Sequence, residues 1–199
     1  MCGICGVAGQ ADDQLIKSML SRIAHRGPDD EGIYVAETST GERIGLGHRR
    51  LSIIDLSLAG HEPMPDASEQ IWLTFNGEIY NFKELRKELE GCGHRFRSET
   101  DGEVIIYAYM EWGRECLSRL NGMFAFAIWD SRDESLLLAR DRLGIKPLYY
   151  AETPAGFAFA SEIKALLAIP GVDRAVDLAA LDQFMTFLWT PDPKTAFRG

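Results

Sequence analysis

Apolar positions along this chain recur with two different periods, and the period changes in blocks. Residues 2–8 are small and apolar and predict a strand closed by Gly9. Leu15, Met19 and Ile23 then repeat at helical spacing behind a cap at Asp12 or Asp13, until Gly27-Pro28 ends the run. Residues 33–36 and 43–46 predict a hairpin about Ser39-Thr40-Gly41-Glu42. After an apolar stretch at 51–58 and a loop holding Gly60, Pro63 and Pro65, residues 70–75 alternate as a strand that runs into Asn76-Gly77, a pair suited to a turn. Leu85 and Leu89 mark an amphipathic helix ended at Gly91 or Gly93, and a second helix runs from Asp101, well placed as its cap, to Trp112. Further strands are predicted at 122–130, 135–139, 147–150 and 156–159, with a short helix capped by Ser161 and another helix over 177–188. Strands and helices come in runs, which favours antiparallel sheets covered by helices, an α+β class, over a doubly wound parallel sheet.

Composition narrows the function classes. The 199 residues suffice for one substantial domain or one domain with an appendage. Hydrophobic residues make up 46% and charged residues 26%, and no apolar run approaches the roughly 20 residues of a membrane span, so a soluble globular protein is expected and a membrane partner is not. The formal charge of −9 argues against nucleic acid as a partner, because a sequence-independent grip on phosphates needs a basic surface. Four cysteines without an export signal suggest free thiols in a reducing, cytoplasmic setting. Cys2 and Cys5 form a C-x-x-C pair, but zinc would require a second close pair, and Cys92 and Cys116 lie too far apart to supply it. His25, His48, His61 and His94 lack ligand spacing and read as structural, so no metal is expected.

Candidate chemistry concentrates at Met1-Cys2-Gly3-Ile4-Cys5-Gly6. Methionine removal favours a small second residue and would leave Cys2 with a thiol and a free α-amine. Such an amine titrates near about pH 8, so nucleophile and general base can reside on one residue. A buried first strand that begins Met-Cys by chance is the plain alternative, and the rest of the chain must decide between them.

Eight stretches in one order bear on that decision: MCGICGV, HRGPDDEG from His25, GHRRLSIIDLS from Gly47, FNGEIYNFKELRKEL from Phe75, SETDGEVI from Ser98, LNGMFAFAIWD from Leu120, ARDRLGIKPLYY from Ala139 and FASEIKALL from Phe159. Together they resemble the glutaminase domain of asparagine synthetases, a class II glutamine amidotransferase. The resemblance implies an N-terminal nucleophile hydrolase: a four-layer αββα sandwich of two antiparallel sheets between helical layers, with Cys2 leading a central strand. It implies that Arg50 pairs with the α-carboxylate of L-glutamine, that Asp101 holds the α-ammonium, and that Asn76 and Gly77 form the oxyanion hole. Leu51, Ser52, Ile53, Ile54 and Glu78 match the remaining pocket lining. A guanidinium fork and a facing carboxylate are the chemistry a free amino acid requires. Singly, Arg50 could belong to a solvated Arg49-Arg50 pair, Asp101 could only cap a helix, and Asn76-Gly77 could only make a turn. The loop around Arg26 is expected either to cover the site and shape the exit for ammonia or to make a surface salt bridge.

The implied reaction is hydrolysis of glutamine through a Cys2 thioester, with no cofactor in this chain. Cys5 is read as a small core residue. Residues 1–170 are expected to form the glutaminase domain. Residues 171–199, ending in ALDQFMTFLWTPDPKTAFRG, resemble a linker and the truncated start of an asparagine-synthetase-like domain. The Ser-Gly-Gly-rich loop through which that domain binds ATP and Mg is absent, as is a P-loop. The C-terminal synthetase domain of a longer protein is therefore the expected partner, and a homodimer is compatible with the family. A glutamine-binding regulatory domain without hydrolysis, and a redox or metal role for Cys2 and Cys5, are the alternative classes.

Overall fold

The computed structural model describes residues 1–52 and 57–198. In chain order the strands are β1 (Gly3–Gly9), β2 (Asp30–Glu37), β3 (Arg43–Arg50), β4 (Met64–Pro65), β5 (Ile71–Ile79), β6 (Gly122–Asp130), β7 (Ser135–Arg140), β8 (Tyr149–Thr153) and β9 (Gly156–Ala160). The helices are α1 (Asp13–Arg22), α2 (Phe82–Gly91), α3 (Gly102–Trp112), α4 (Cys116–Arg119), α5 (Ile163–Leu166) and α6 (Leu178–Phe187). The strands make a five-stranded sheet in the order β2-β3-β1-β9-β8 and a four-stranded sheet in the order β4-β5-β6-β7. Every strand pairing in both sheets is antiparallel.

The two-residue period of each strand divides its side chains between two apolar layers. On β1, Cys5 and Val7 pack against Ile16, Met19 and Leu20 of α1, whereas Ile4 faces the other sheet beside Ile44, Leu46, Ala125, Ala127 and Phe159. On β6, Phe124, Phe126 and Ile128 point to the opposite outer layer, where Leu85 and Leu89 of α2 and Val104 to Ala108 of α3 cover them. The order is helix, sheet, sheet, helix, the four-layer αββα arrangement expected. On the inter-sheet face Gly6 leaves room for its cross-strand neighbour, since a Cβ there would lie 2.4 Å from the Phe159 ring of β9.

Three local expectations give way to tertiary demands. Residues 76–77 do not turn; β5 continues through them to Ile79. Gly77 stands there because a Cβ would lie 2.4 Å from the Met123 carbonyl oxygen of β6, so close backbone approach, and not a positive φ, requires the glycine. Asp101 precedes α3 but its side chain does not cap the helix; the carboxylate turns back and accepts from the Ile79 N–H at 2.7 Å. Ser161 likewise leaves the cap position to Glu162 and accepts instead from the Ile4 N–H at 3.0 Å, fastening β1 at its start. Cys5 is fully buried, as read. At the other end of the chain, α6 buries Ala180 and leaves Leu178, Met185 and Phe187 largely exposed.

Candidate active site

The inter-sheet face of β3 carries Ile44 and Leu46 and, by the same period, His48 and Arg50. That of β5 carries Trp72 and Thr74, then Asn76 and Glu78; the Thr74 hydroxyl donates across the gap to the Gly47 carbonyl at 3.2 Å. Continuing the β1 alternation outward from Ile4 places Cys2 on the same face. Apolar residues fill the middle of the sandwich and polar ones its mouth, where a pocket of about 220 Å³ is lined by Cys2, His48, Arg50, Leu51, Glu62, Asn76, Gly77, Glu78, Asp101 and Lys146, among others.

The second source of the site is an incomplete sheet edge. On the side away from β6, β5 is paired only at Leu73 and Trp72, because β4 is two residues long. Beyond that point the outward backbone groups of β5 take side-chain partners, since buried peptide groups must be paired. The Phe75 N–H donates to Glu62 at 2.6 Å, the Phe75 carbonyl accepts from His48 Nε2 at 3.0 Å, and the Ile79 N–H donates to Asp101. In an antiparallel strand alternate residues present both backbone groups to the same side. The N–H of Gly77 therefore points outward as well, between these two anchors and into the pocket. Beside it, Asn76 is 1% exposed and its Nδ2 has no hydrogen-bond partner among the described residues.

Charge in the pocket is divided. Arg50 donates to the Ser57 carbonyl at 2.9 Å, and Gly60 makes room for it, since a Cβ there would lie 2.0 Å from the guanidinium. Asp101 is 7% exposed; burial raises its pKa, opposed by the Ile79 N–H and reinforced by the nearby charge of Glu78. Glu62 is raised well above the usual carboxylate range, by burial first and then by Asp101, against the Phe75 N–H and Arg50. His48 is pushed down to about 4 by burial and is a neutral imidazole at neutral pH. A carbonyl can only accept, so the bond to Phe75 fixes the His48 proton on Nε2.

The Cys2 thiol lies against Leu51, accepting from its N–H at 3.4 Å and facing its carbonyl at 3.8 Å. Burial raises its pKa, although the Leu51 N–H, the N-terminal ammonium and Arg50 act the other way. A thiol so held is protonated at neutral pH, so any nucleophilic use of it would require a base. Its backbone is gripped by Arg26, whose Nε donates to the Cys2 carbonyl at 2.8 Å while Nη1 donates to Glu162 at 3.0 Å. Glu162 is burdened by burial, but Lys164, Arg26 and His25 outweigh it and bring its pKa down to about 2. Arg26 thus ties the site to the start of α5, and its side chain is only 9% exposed.

Cys2, Arg50, Leu51, Asn76, Gly77, Glu78 and Asp101 all meet in this pocket. Ser52 does not line it and instead donates its N–H to Asp29 at 2.8 Å. Ile53 and Ile54 lie outside the described residues. Glu62, His48, Thr100 and Lys146 join the lining without having been singled out by sequence as site residues. Lys146 is brought in by a turn wrapped on Asp141, whose carboxylate accepts from the N–H groups of Leu143, Ile145 and Lys146. Among the described residues no cluster of three His, Cys, Asp or Glu side chains is arranged to hold a metal ion, and no helix is long and apolar enough to cross a membrane.

Known proteins share this sequence and architecture. Asparagine synthetase [glutamine-hydrolyzing] 1 of Bacillus subtilis is 45% identical over 202 residues, covering 98% of this chain and 31% of that protein. Asparagine synthetase [glutamine-hydrolyzing] 3 of the same organism is 38% identical over 191 residues, covering 90% of this chain and 30% of that protein. The chain thus spans about a third of the length of these relatives. In fold it matches the glutamine phosphoribosylpyrophosphate amidotransferase of B. subtilis, with a TM-score of 0.72 at 22% identity over 86% of this chain and 44% of that one. The αββα sandwich is therefore the fold of that amidotransferase. The sequence pattern of the glutamine amidotransferase domain matches residues 1–199 from end to end, and the chain belongs to that family.

Proposed function

We propose that this chain hydrolyses L-glutamine to glutamate and ammonia through a thioester on Cys2. The observation that carries the reading is the pairing of an unpartnered Asn76 Nδ2 with the outward Gly77 N–H in the pocket that holds the Cys2 thiol. A buried amide donor with no partner among the described residues and a backbone N–H aimed into the same pocket, beside a thiol, are what a developing oxyanion needs. Removal of Met1 frees the α-amine of Cys2. That amine takes the thiol proton as sulfur attacks the side-chain amide carbon, directly or through a water. The amide oxygen becomes the oxyanion held by Asn76 and Gly77. The tetrahedral adduct collapses by returning the proton to the departing nitrogen, and ammonia leaves. Water, deprotonated by the same amine, then releases glutamate from the thioester.

Arg50 receives the substrate α-carboxylate and Asp101 the α-ammonium, with Leu51 and Glu78 completing the surroundings. Residues 1–170 form the glutaminase domain, and 171–199 lead into an ATP- and Mg-dependent synthetase domain that consumes the ammonia in the cytoplasm. The apolar residues exposed on α6 support that continuation. The test is intact-mass analysis before and after incubation with a glutamine-like diazoketone that alkylates the nucleophile. The expected result is loss of methionine and one adduct at Cys2, prevented by glutamine. A processed Cys2 that stays unlabelled would refute hydrolysis and leave a glutamine-binding domain.

A further inference from the structure

Glu62 is a carboxyl that the acyl-transfer chemistry does not use. It sits in the pocket at 7% exposure. Its Oε2 is held by the Phe75 N–H at 2.6 Å and lies 3.6 Å from His48 Nε2. Its Oε1 is turned toward Gly102, where a Cβ would approach to 3.5 Å, so that the carboxyl abuts the segment that carries Asp101. Two buried acids at one end of a small pocket, with Glu78 nearby, do not all ionise without cations to answer them. Among the described residues, the titratable groups that share this end of the molecule with Glu62 are the following. From β3 come Arg50, whose guanidinium is engaged with the Ser57 carbonyl, and His48, neutral and with Nδ1 unpartnered among the described residues. From β5 comes Glu78, and from the start of α3 come Asp101 and Glu103, the latter committed to the N–H groups of Arg97 and Ser98. The neighbouring His61 is spent on Asp30 at 2.7 Å, and Lys146 closes the far lining.

We propose that Glu62 is a specificity-determining residue of this pocket, a second carboxyl that answers the incoming α-ammonium by giving up its own proton to solvent. The inference rests on the glutamine reading above and deepens it. The exchange balances: a neutral carboxyl and an ammonium ion go in, and a carboxylate–ammonium contact and one solvent proton come out. Burial and the charge of Asp101 both favour the protonated form of Glu62 before the ammonium arrives. Binding energy for glutamine is thereby made to depend on a real positive charge at the α position. A molecule of the same shape without the amino group gains nothing from Glu62, because no charge arrives to displace its proton.

The experiment is calorimetric titration of the Cys2→Ala chain, which does not turn its ligand over, with L-glutamine in buffers of differing ionisation enthalpy at pH 7. About one proton is released per glutamine bound, and the dissociation constant rises close to tenfold per unit fall in pH below neutrality. Glu62→Gln keeps an amide oxygen for the Phe75 N–H, so it still binds glutamine, but releases no proton and loses that pH slope. Titration with 4-carbamoylbutanoate, which is glutamine without its amino group, releases no proton from the unaltered pocket and needs no variant to fold. Glutamine binding without proton release, or equal release from Glu62→Gln, overturns the role of Glu62 and leaves the glutamine reading intact. Absence of glutamine binding in any buffer, with melting unchanged, overturns both.

Discussion

Replacing Asn76 with alanine separates function from stability in opposite directions. The Nδ2 of Asn76 is buried without a partner among the described residues, and an unsatisfied buried donor costs about 1–3 kcal/mol. Alanine removes that cost and gives up the packing of a short polar side chain, about 1 kcal/mol on the usual scale for apolar contact. The expected net is between no change and about 2 kcal/mol of added stability, or a melting temperature up to about 8 °C higher for a chain of this size. Turnover moves the other way. Loss of one of two oxyanion donors costs on the order of 3 kcal/mol in the barrier, a fall in kcat of about 100- to 1,000-fold with KM little altered. Glutamate release followed with glutamate dehydrogenase, beside a thermal melt of the same sample, reads both quantities. A variant that melts many degrees lower while hydrolysing glutamine at the parent rate would refute the reasoning, since Asn76 would then be a structural residue.

Other substitutions probe the rest of the framework. Cys2→Ala is expected to abolish glutamine hydrolysis while retaining glutamine binding by calorimetry. Gly77→Ala forces a Cβ toward the Met123 carbonyl, 2.4 Å away before relaxation, and is expected to lower stability by about 1–3 kcal/mol in a denaturant titration. Glu162 is an ionised group whose pKa lies depressed to about 2. Its contribution is therefore present above the ordinary glutamate pKa and is lost as pH falls from there toward 2; a pH series of melts should show a shallower loss in Glu162→Gln. Arg26→Ala, which releases the Cys2 carbonyl, should lower kcat far more than it raises KM, with Arg26→Lys failing to restore the two-pronged contact. Alkylation by iodoacetamide should mark the exposed Cys92 readily and spare Cys5 and Cys116, which are buried with raised pKa values.

Much was decided along the chain itself. The apolar runs of β1 and β6, the alternation at the start of β5, the helical spacing of α1 and α2, and the block order of strands and helices express backbone geometry that needs no partner to be read. Cys2, Arg50, Asn76, Gly77 and Asp101, singled out because they stand in register with family motifs, line one pocket. Only the tertiary structure decided what each local signal was for. Asn76-Gly77 carries the sequence of a turn, yet β6 lies so close that the glycine is consumed by the approach of two strands. Asp101 occupies a cap position, yet the unpaired edge of β5 draws its carboxylate away from α3. Glu62, His48 and Lys146 gave no sequence signal, because a buried carboxyl within His61-Glu62-Pro63 and a lysine in a turn look like ordinary surface residues until a short β4 leaves Phe75 to be satisfied by side chains. Sequence fixes which groups exist and which face they share; the unpaired backbone edge that recruits them arises only when two sheets are stacked and one strand ends early.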